Sequence, residues 1–277
     1  MDFLGTLLLG LVQGLAEFLP ISSSGHLRLL ESVVPTPQTV SPLTLEILLH
    51  AGTLGAVIIW LREELLFTIS GAFEFGKRLI GKRGADYSPK ERTFLFVVLA
   101  SIPTAVIGLA LKKSGVEKLG PTHVAIFLFI TGFLNLLVRR RNEEQGGTPD
   151  EGLTWKSALF IGVAQGFAVL PGISRSGSTI AAGYWCGLPA ERAARFSFLL
   201  SVPAVGGATL LELRHLFDGS GGSLMSGFSA IAAGALLAFF VGLLALKWLF
   251  SALDKDRFHW FAYYCWFVSC LTLYLAR

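Results

Sequence analysis

Charge is what this sequence has least of. Asp, Glu, Lys and Arg make up 15% of its 277 residues, against about 25% in an ordinary soluble domain. Another 53% is hydrophobic before glycine is counted, and the mean hydropathy is +0.62. Too little polar material remains to cover a water-facing surface, which excludes an ordinary soluble enzyme and a disordered chain. Cysteine is scarce as well. Cys186, Cys265 and Cys270 lie in apolar segments without Cys-x-x-Cys spacing, so a disulfide-stapled module is excluded and they read as reduced packing residues. No basic stretch precedes the apolar N-terminus, and Glu17 interrupts it, so a cleaved leader is not expected. The formal charge is only +4 and the cations sit in loops, a distribution that suits a membrane surface and not nucleic acid.

What is present is apolar length. Stretches run at about 3–19, 43–61, 93–111, 122–138, 156–170, 193–211, 226–250 and 259–276. A full span needs ~20 apolar residues, with a range of ~17–25, so six of these qualify as transmembrane helices: 43–61, 93–111, 122–138, 193–211, 226–250 and 259–276. The other two, 3–19 and 156–170, run into Pro20-Ile-Ser-Ser-Ser-Gly and Pro171-Gly-Ile-Ser-Arg-Ser-Gly. Such clusters end one helix and cap the next, and short apolar pieces follow at 27–34 and 179–188. Each break therefore predicts a re-entrant hairpin, with irregular backbone shielded by protein or a water-filled cavity. The surplus glycine, 31 residues where ~7% is usual, is expected partly at these breaks.

The breaks are related. Aligning Gly10–His26 with Gly162–Ser178 at an offset of 152 gives eight identities in seventeen positions, mostly Gly and Ser. The expected architecture is all-α and polytopic: a single membrane domain over 1–277 built from two repeats, about 1–140 and 152–277. Three full spans per half require opposite orientations, an inverted-topology repeat. If the loop 62–92 is cytoplasmic, sixteen Lys and Arg fall on that side, and six (Arg28, Lys112, Lys113, Lys118, Arg214, Arg277) on the other. That is the positive-inside bias. Trp60, Trp155, Trp248 and Trp260 lie near span ends, as interfacial anchors do. The mixed charges of 62–92 read as a solvated loop, and Glu212, Arg214 and His215 as an exposed loop edge.

The first break carries Gln13, Glu17, Ser22, Ser23, Ser24 and His26. Gln13 and Glu17 are four apart and share a helix face. The serines fall at a helix start, where free N–H groups and the helix dipole favour an anion. A carboxylate at bilayer depth costs ~2.5–3.5 kcal/mol on insertion scales and calls for a partner. The second break has Arg175 in place of Ser23, Ser178 in place of His26 and Val169 in place of Glu17, and it clusters Ser174, Arg175, Ser176, Ser178 and Thr179 at another helix start. One half thus brings a nucleophile and acid–base groups, the other a fixed cation with hydroxyl and backbone donors. Together they make a phosphate site with the groups that phosphoanhydride cleavage needs. Gln13 and Gln165 serve either as interhelical glue or, for Gln13, as a phosphate ligand with Ser22 and Ser24. Glu46 and His50 are either site residues or interfacial caps.

Gln13-x-x-x-Glu17 leading into Pro20-Ile-Ser-Ser-Ser-Gly-His26 resembles the first signature of the undecaprenyl-diphosphate phosphatase, or bacitracin-resistance, family. Pro171-Gly-Ile-Ser-Arg-Ser-Gly-Ser-Thr179 resembles the second, and Leu49-His-Ala-Gly-Thr53 and Phe196-Ser-Phe-Leu-Leu-Ser-Val-Pro203 are also similar to it. The likeness covers essentially the whole chain; one departure is Gln13, where many members carry glutamate. It implies a multi-pass enzyme of the bacterial plasma (inner) membrane. Such an enzyme dephosphorylates the C55 isoprenyl diphosphate to the carrier lipid of cell-wall synthesis, from a site facing the outer side, and so confers bacitracin resistance. It implies Glu17, Ser23, His26 and Arg175 as the catalytic set and Ser174, Ser176 and Thr179 as phosphate ligands. The preferred mechanism has Ser23 attacking phosphorus while His26, oriented by Glu17, handles its proton; His26 or water as nucleophile are the alternatives. Family members respond to divalent cations such as Mg2+ or Ca2+, but one acid in the motif defines no metal ligand set. The expected partners are the lipid substrate and the bilayer, with a homodimer compatible but not required. A transporter of isoprenyl phosphate lipids using the same repeats is the rival class. The type-2 phosphatidic-acid phosphatases fit less well, since their Lys-x6-Arg-Pro signature is absent.

Overall fold

A computed structural model describes residues 3–31, 42–81, 86–138, 152–217 and 228–276. Lys82, Arg83, Arg139, Arg140, Arg141 and Arg277 of the charge count, the junction between the repeats, and the side chains of Glu212 and His215 lie outside the described residues. The described chain is all-α. In order the helices are α1 (Phe3–Phe18), α2 (Ser23–Glu31), α3 (Pro42–Trp60), α4 (Arg62–Ile80), α5 (Pro89–Lys113) and α6 (Pro121–Leu136). They continue as α7 (Trp155–Phe167), α8 (Arg175–Trp185), α9 (Ala190–Phe217), α10 (Phe228–Asp254) and α11 (Trp260–Leu275). The boundaries follow local chemistry. Ser88 caps α5 in a reciprocal box with Glu91, with Pro89 in the first turn, and Thr154 caps α7 by accepting the Ser157 N–H.

Both apolar segments that the sequence breaks are broken here, α1 from α2 and α7 from α8. The full spans differ from expectation in extent. Among the described residues three helices, α5, α9 and α10, are each long and apolar enough to cross a membrane. Helix α3 passes that test only together with α4 across the bend between them, and α1, α6 and α11 are shorter apolar helices. At 16 residues each, α6 and α11 are ~24 Å long, short of a ~30 Å hydrocarbon core. The chain is a multi-pass membrane protein.

The segment 62–92 is not the solvated loop that its charges suggest. Its first two-thirds form α4, bent 85° from α3 at Leu61. The charges at its two ends make the segment read as polar, but Leu66, Ile69, Phe73 and Ile80 recur at helical spacing and form one exposed stripe. The opposite face, with Thr68 and Gly71, is buried against α5. Arg78 clamps Glu91 of α5 with two bonds of 2.8 and 2.9 Å, Glu74 accepts from Ser88, and Arg195 of α9 pairs with Glu64. An apolar outer stripe beside a charged edge is the pattern of a helix lying in the membrane interface.

Glycine does more in packing than the sequence suggested. Helix α1 packs along α10, and α7 along α5, in matching pairs. A Cβ at Gly10 would overlap the Gly234 carbonyl, and one at Gly162 the Ala100 carbonyl. Each has a second glycine one turn on, Gly14 and Gly166, in similar contact. The repeated Gly-x-x-x-Gly is thus a backbone-approach motif. The interior core draws most on α9 and α10, with Phe196 and Phe198 fully buried and Phe18 edge-on to Phe198. The cysteines are free thiols, Cys265 buried and Cys270 exposed.

Candidate active site

The two breaks meet each other. Pro20 ends α1, and Ser22 turns the chain in the left-handed region (φ 69°) before α2 begins. Its hydroxyl accepts the N–H of Gly25, capping α2, and that of Gly172 in the second break, and donates to the Ile173 carbonyl. In the second break Gly172 takes φ 103°, which suits glycine. Ser174 caps α8 by accepting from Gly177. Ser176 reaches back to the Leu19 carbonyl at 3.2 Å. Helix α6 holds both breaks: Asn135 donates to the Pro20 carbonyl, while Thr131 donates to the Gly172 carbonyl and accepts the Ser174 N–H. These bonds satisfy backbone groups that a broken helix leaves open at depth.

Beside this junction lies a cavity of about 340 Å³, walled by Glu17, Ser22, Ser23 and Ser24 on one side and by Ser174 and Arg175 on the other. Glu17 is its hub and is only 8% exposed. One carboxylate oxygen, Oε1, accepts from Arg175 at 2.6 Å. The other, Oε2, accepts from Ser23 Oγ at 2.8 Å, from Gln13 at 3.1 Å and faces His50 Nε2 at 3.1 Å. A carboxylate at depth thus has the partners its burial demands. Arg175 also lies over the Phe198 ring, and among the described residues its Nη1 has no partner. The N-termini of α2 and α8 bring Ser23 and Arg175 to the wall, with Arg28 and Lys112 further along it. The ionised groups around the junction sum to positive charge, which suits an anion.

Of the residues singled out in the sequence, Glu17, Ser22, Ser23, Ser24, Ser174 and Arg175 line the cavity, and so do Glu46 and His50 of α3. Gln13 sits behind Glu17, fully buried, and also reaches Thr53 at 3.5 Å. Ser176 is spent on the Leu19 carbonyl and on Ser174, and Thr179 faces Ser197 of α9 and its own helix carbonyls. Gln165 is on the wall and donates to Thr104. The expected pairing of His26 with Glu17 is not what the structure holds. His26 Nδ1 donates to the Ser22 carbonyl one turn earlier at 2.8 Å. Its Nε2 meets Tyr264 of α11 at 2.9 Å, and the two rings stack at 5.6 Å. The Ser22 carbonyl accepts the His26 backbone N–H and, through its second lone pair, the ring N–H as well, and this bond draws the ring away from Glu17. The histidine beside Glu17 is His50 of α3. Its signal was legible: Glu46, His50 and Thr53 stand at i, i+4 and i+7 in an otherwise apolar helix, one shared face.

The chain matches the family model described as "Bacitracin resistance protein BacA" over residues 6–271. It is similar to an undecaprenyl-diphosphatase of Rhodopirellula baltica, 41% identical over 95% of this chain and 94% of the relative. It is 38% identical to an undecaprenyl-diphosphatase of Methanobrevibacter smithii, over 98% and 97% of the two chains. It is 40% identical to one of Desulfosudis oleivorans, over 97% and 96%. With both breaks, their serine caps and the Glu17–Arg175 pair inside the matched span, the chain belongs to the BacA bacitracin-resistance family.

Proposed function

We propose that the chain is an undecaprenyl-diphosphate phosphatase, releasing inorganic phosphate from the C55 isoprenyl diphosphate and returning the monophosphate carrier to cell-wall synthesis. The observation that carries this is the Glu17 cluster. A serine hydroxyl lies 2.8 Å from a buried carboxylate, which is held by a guanidinium with a spare nitrogen, where the N-termini of α2 and α8 converge. Ser23 Oγ attacks the terminal phosphorus. The Oγ–P bond forms as the bridging P–O bond breaks, the lipid monophosphate leaves, and the Ser23 proton passes to Glu17 Oε2. Water then attacks the phosphoserine, and Ser23 Oγ regains a proton as phosphate departs. Arg175 and the N–H groups of the two first turns carry the charge that develops on the transferred group. His26, in the first turn of α2, is the alternative nucleophile.

The donor set does not suit a resident metal. Among the described residues no three His, Cys, Asp or Glu groups cluster to hold one, and Glu17 already has an N–H or O–H partner on each oxygen.

The arrangement that goes with this reading is an inverted repeat in the plasma membrane with its site open to the outer side. The matching pairs α1–α10 and α7–α5, and the two breaks stitched together by Ser22 and Ser176, support it. Arg28 and Lys112, which the charge bias assigns to the outer side, line the cavity. A transporter would need the cations and the helix ends but not a nucleophile set against a carboxylate, so the Ser23–Glu17 bond favours chemistry. The test is phosphate release from undecaprenyl diphosphate by the detergent-purified protein, with Arg175→Ala alongside and acid-quenched protein mapped for bound phosphate. The expected result is turnover lost in Arg175→Ala and label on Ser23. Lipid binding without release overturns the hydrolase reading, and label on His26 overturns the choice of nucleophile.

A further inference from the structure

The Glu17 carboxylate needs more than Arg175 to present a defined oxygen to Ser23, and α3 supplies it. His50 Nδ1 lies 2.8 Å from the Glu46 backbone carbonyl, which only accepts, so that nitrogen carries a proton. This bond fixes the plane of the ring one turn up its own helix. The opposite nitrogen, Nε2, is then aimed at Glu17 Oε2, 3.1 Å away. An ionised carboxylate also only accepts, so the ring that satisfies both neighbours is protonated on both nitrogens. Oε2 is the oxygen to which Ser23 donates. Arg175 holds the other oxygen, and its unpartnered Nη1 is the donor a phosphate oxygen would take. Once Arg175 turns part of its charge to substrate, the cation left on Glu17 is His50. Thr53, on the same face of α3, is bonded to the His50 carbonyl and within reach of Gln13, so α3 and α1 are tied together behind the pair.

We infer that His50 is the positioning residue of the Ser23–Glu17 pair. It fixes the carboxylate oxygen that receives the serine proton, a role distinct from that of His26, whose ring nitrogens are engaged by Ser22 and Tyr264. The inference rests on the phosphatase reading.

The two amide isosteres of histidine separate its two bonds. In His50→Gln the side-chain nitrogen stands near the place of Nε2, so the donor to Glu17 is kept and the donor to Glu46 is lost. In His50→Asn it stands near the place of Nδ1, and Glu17 loses its partner. Both variants are polar and close in size, so both are expected to fold, which a melting curve in detergent checks. Steady-state phosphate release from undecaprenyl diphosphate is then measured for each. His50→Asn should lose kcat on the order of 10²-fold, the cost of a misplaced reacting group. Its KM should hold, because the interaction acts on the reacting groups and not on substrate binding. His50→Gln should lose clearly less. A merely structural histidine, held through Glu46, would give the reverse order. Equal kcat losses, the reverse order, or a change confined to KM overturns the inference. A wild-type protein that releases no phosphate overturns the phosphatase reading instead.

Discussion

Replacing Glu17 with glutamine removes one charge and almost no volume, so its cost is set by the cations packed around the carboxylate. That group sits 2.6 Å from Arg175 and 3.1 Å from His50, and is 8% exposed. At an effective dielectric constant of ~20, a unit charge ~3 Å from an opposite one interacts by about 5 kcal/mol. Part of that offsets desolvation, so stripping one partner from such a cluster costs about 3–5 kcal/mol, through the cations left buried without a counter-charge. The amide compounds the loss: whichever way it is turned, its NH2 faces donors, either Arg175 or the trio of Ser23, Gln13 and His50. Melting of the purified protein in detergent should fall by roughly 6–20 °C on the usual scaling of about 2–4 °C per kcal/mol. Phosphate release should fall by about 10²–10⁴-fold, the worth of a placed proton acceptor. The decisive variant is the double, Glu17→Gln with Arg175→Gln. With the strongest unpaired cation gone, stability should return most of the way, while activity should stay lost because the phosphate has no guanidinium. A double variant no more stable than Glu17→Gln alone would refute the charge argument, and a double that turns over would refute the roles assigned to both residues.

The scaffold carries two further expectations. Ser22→Ala strips the oxygen that caps α2 and accepts the Gly172 N–H, which should cost about 1–3 kcal/mol for buried groups left unpaired. Ser22→Gly should be milder, since it recovers about 1 kcal/mol of left-handed strain; an Ala variant that melts no lower than the wild type would show the stitch to be slack, and one that melts no lower than the Gly variant would refute the strain. Gly162→Ala pushes a Cβ into the Ala100 carbonyl and should separate α7 from α5 at a cost of about 1–3 kcal/mol. Gly207→Ala, with open space around its Cβ position, should be neutral or stabilising by about 0.5–1 kcal/mol in melting experiments.

Legibility in the sequence varied with the range of the interaction. The ends of α5, α7 and α8 are written in Ser88, Thr154 and Ser174, because capping is a contact between residues three apart. The paired breaks were visible for the same reason: proline, glycine and serine act on their own backbone. Helix α4 was missed because charges at its ends outweighed an apolar stripe whose spacing was nonetheless helical. The misassigned partner of Glu17 has a different cause. His26 lies nine residues from Glu17 in a recognisable motif, and His50 thirty-three residues away. Nothing local says which ring turns toward the carboxylate and which toward Tyr264.

Composition and hydropathy determined the solvent and the helical class, and the local Pro, Gly and Ser motifs the existence of two related breaks, since each is a property of single residues or of neighbours within a turn or two. Tertiary structure decided the circuit of bonds: Ser22 stitched to Gly172, Asn135 to Pro20, Arg175 and His50 on the two oxygens of Glu17. The physical reason is that a buried polar group at membrane depth must find a partner wherever the packing brings one. Which partner it finds depends on how α3, α6 and α8 approach α1, and that approach is set by contacts spread over the whole chain.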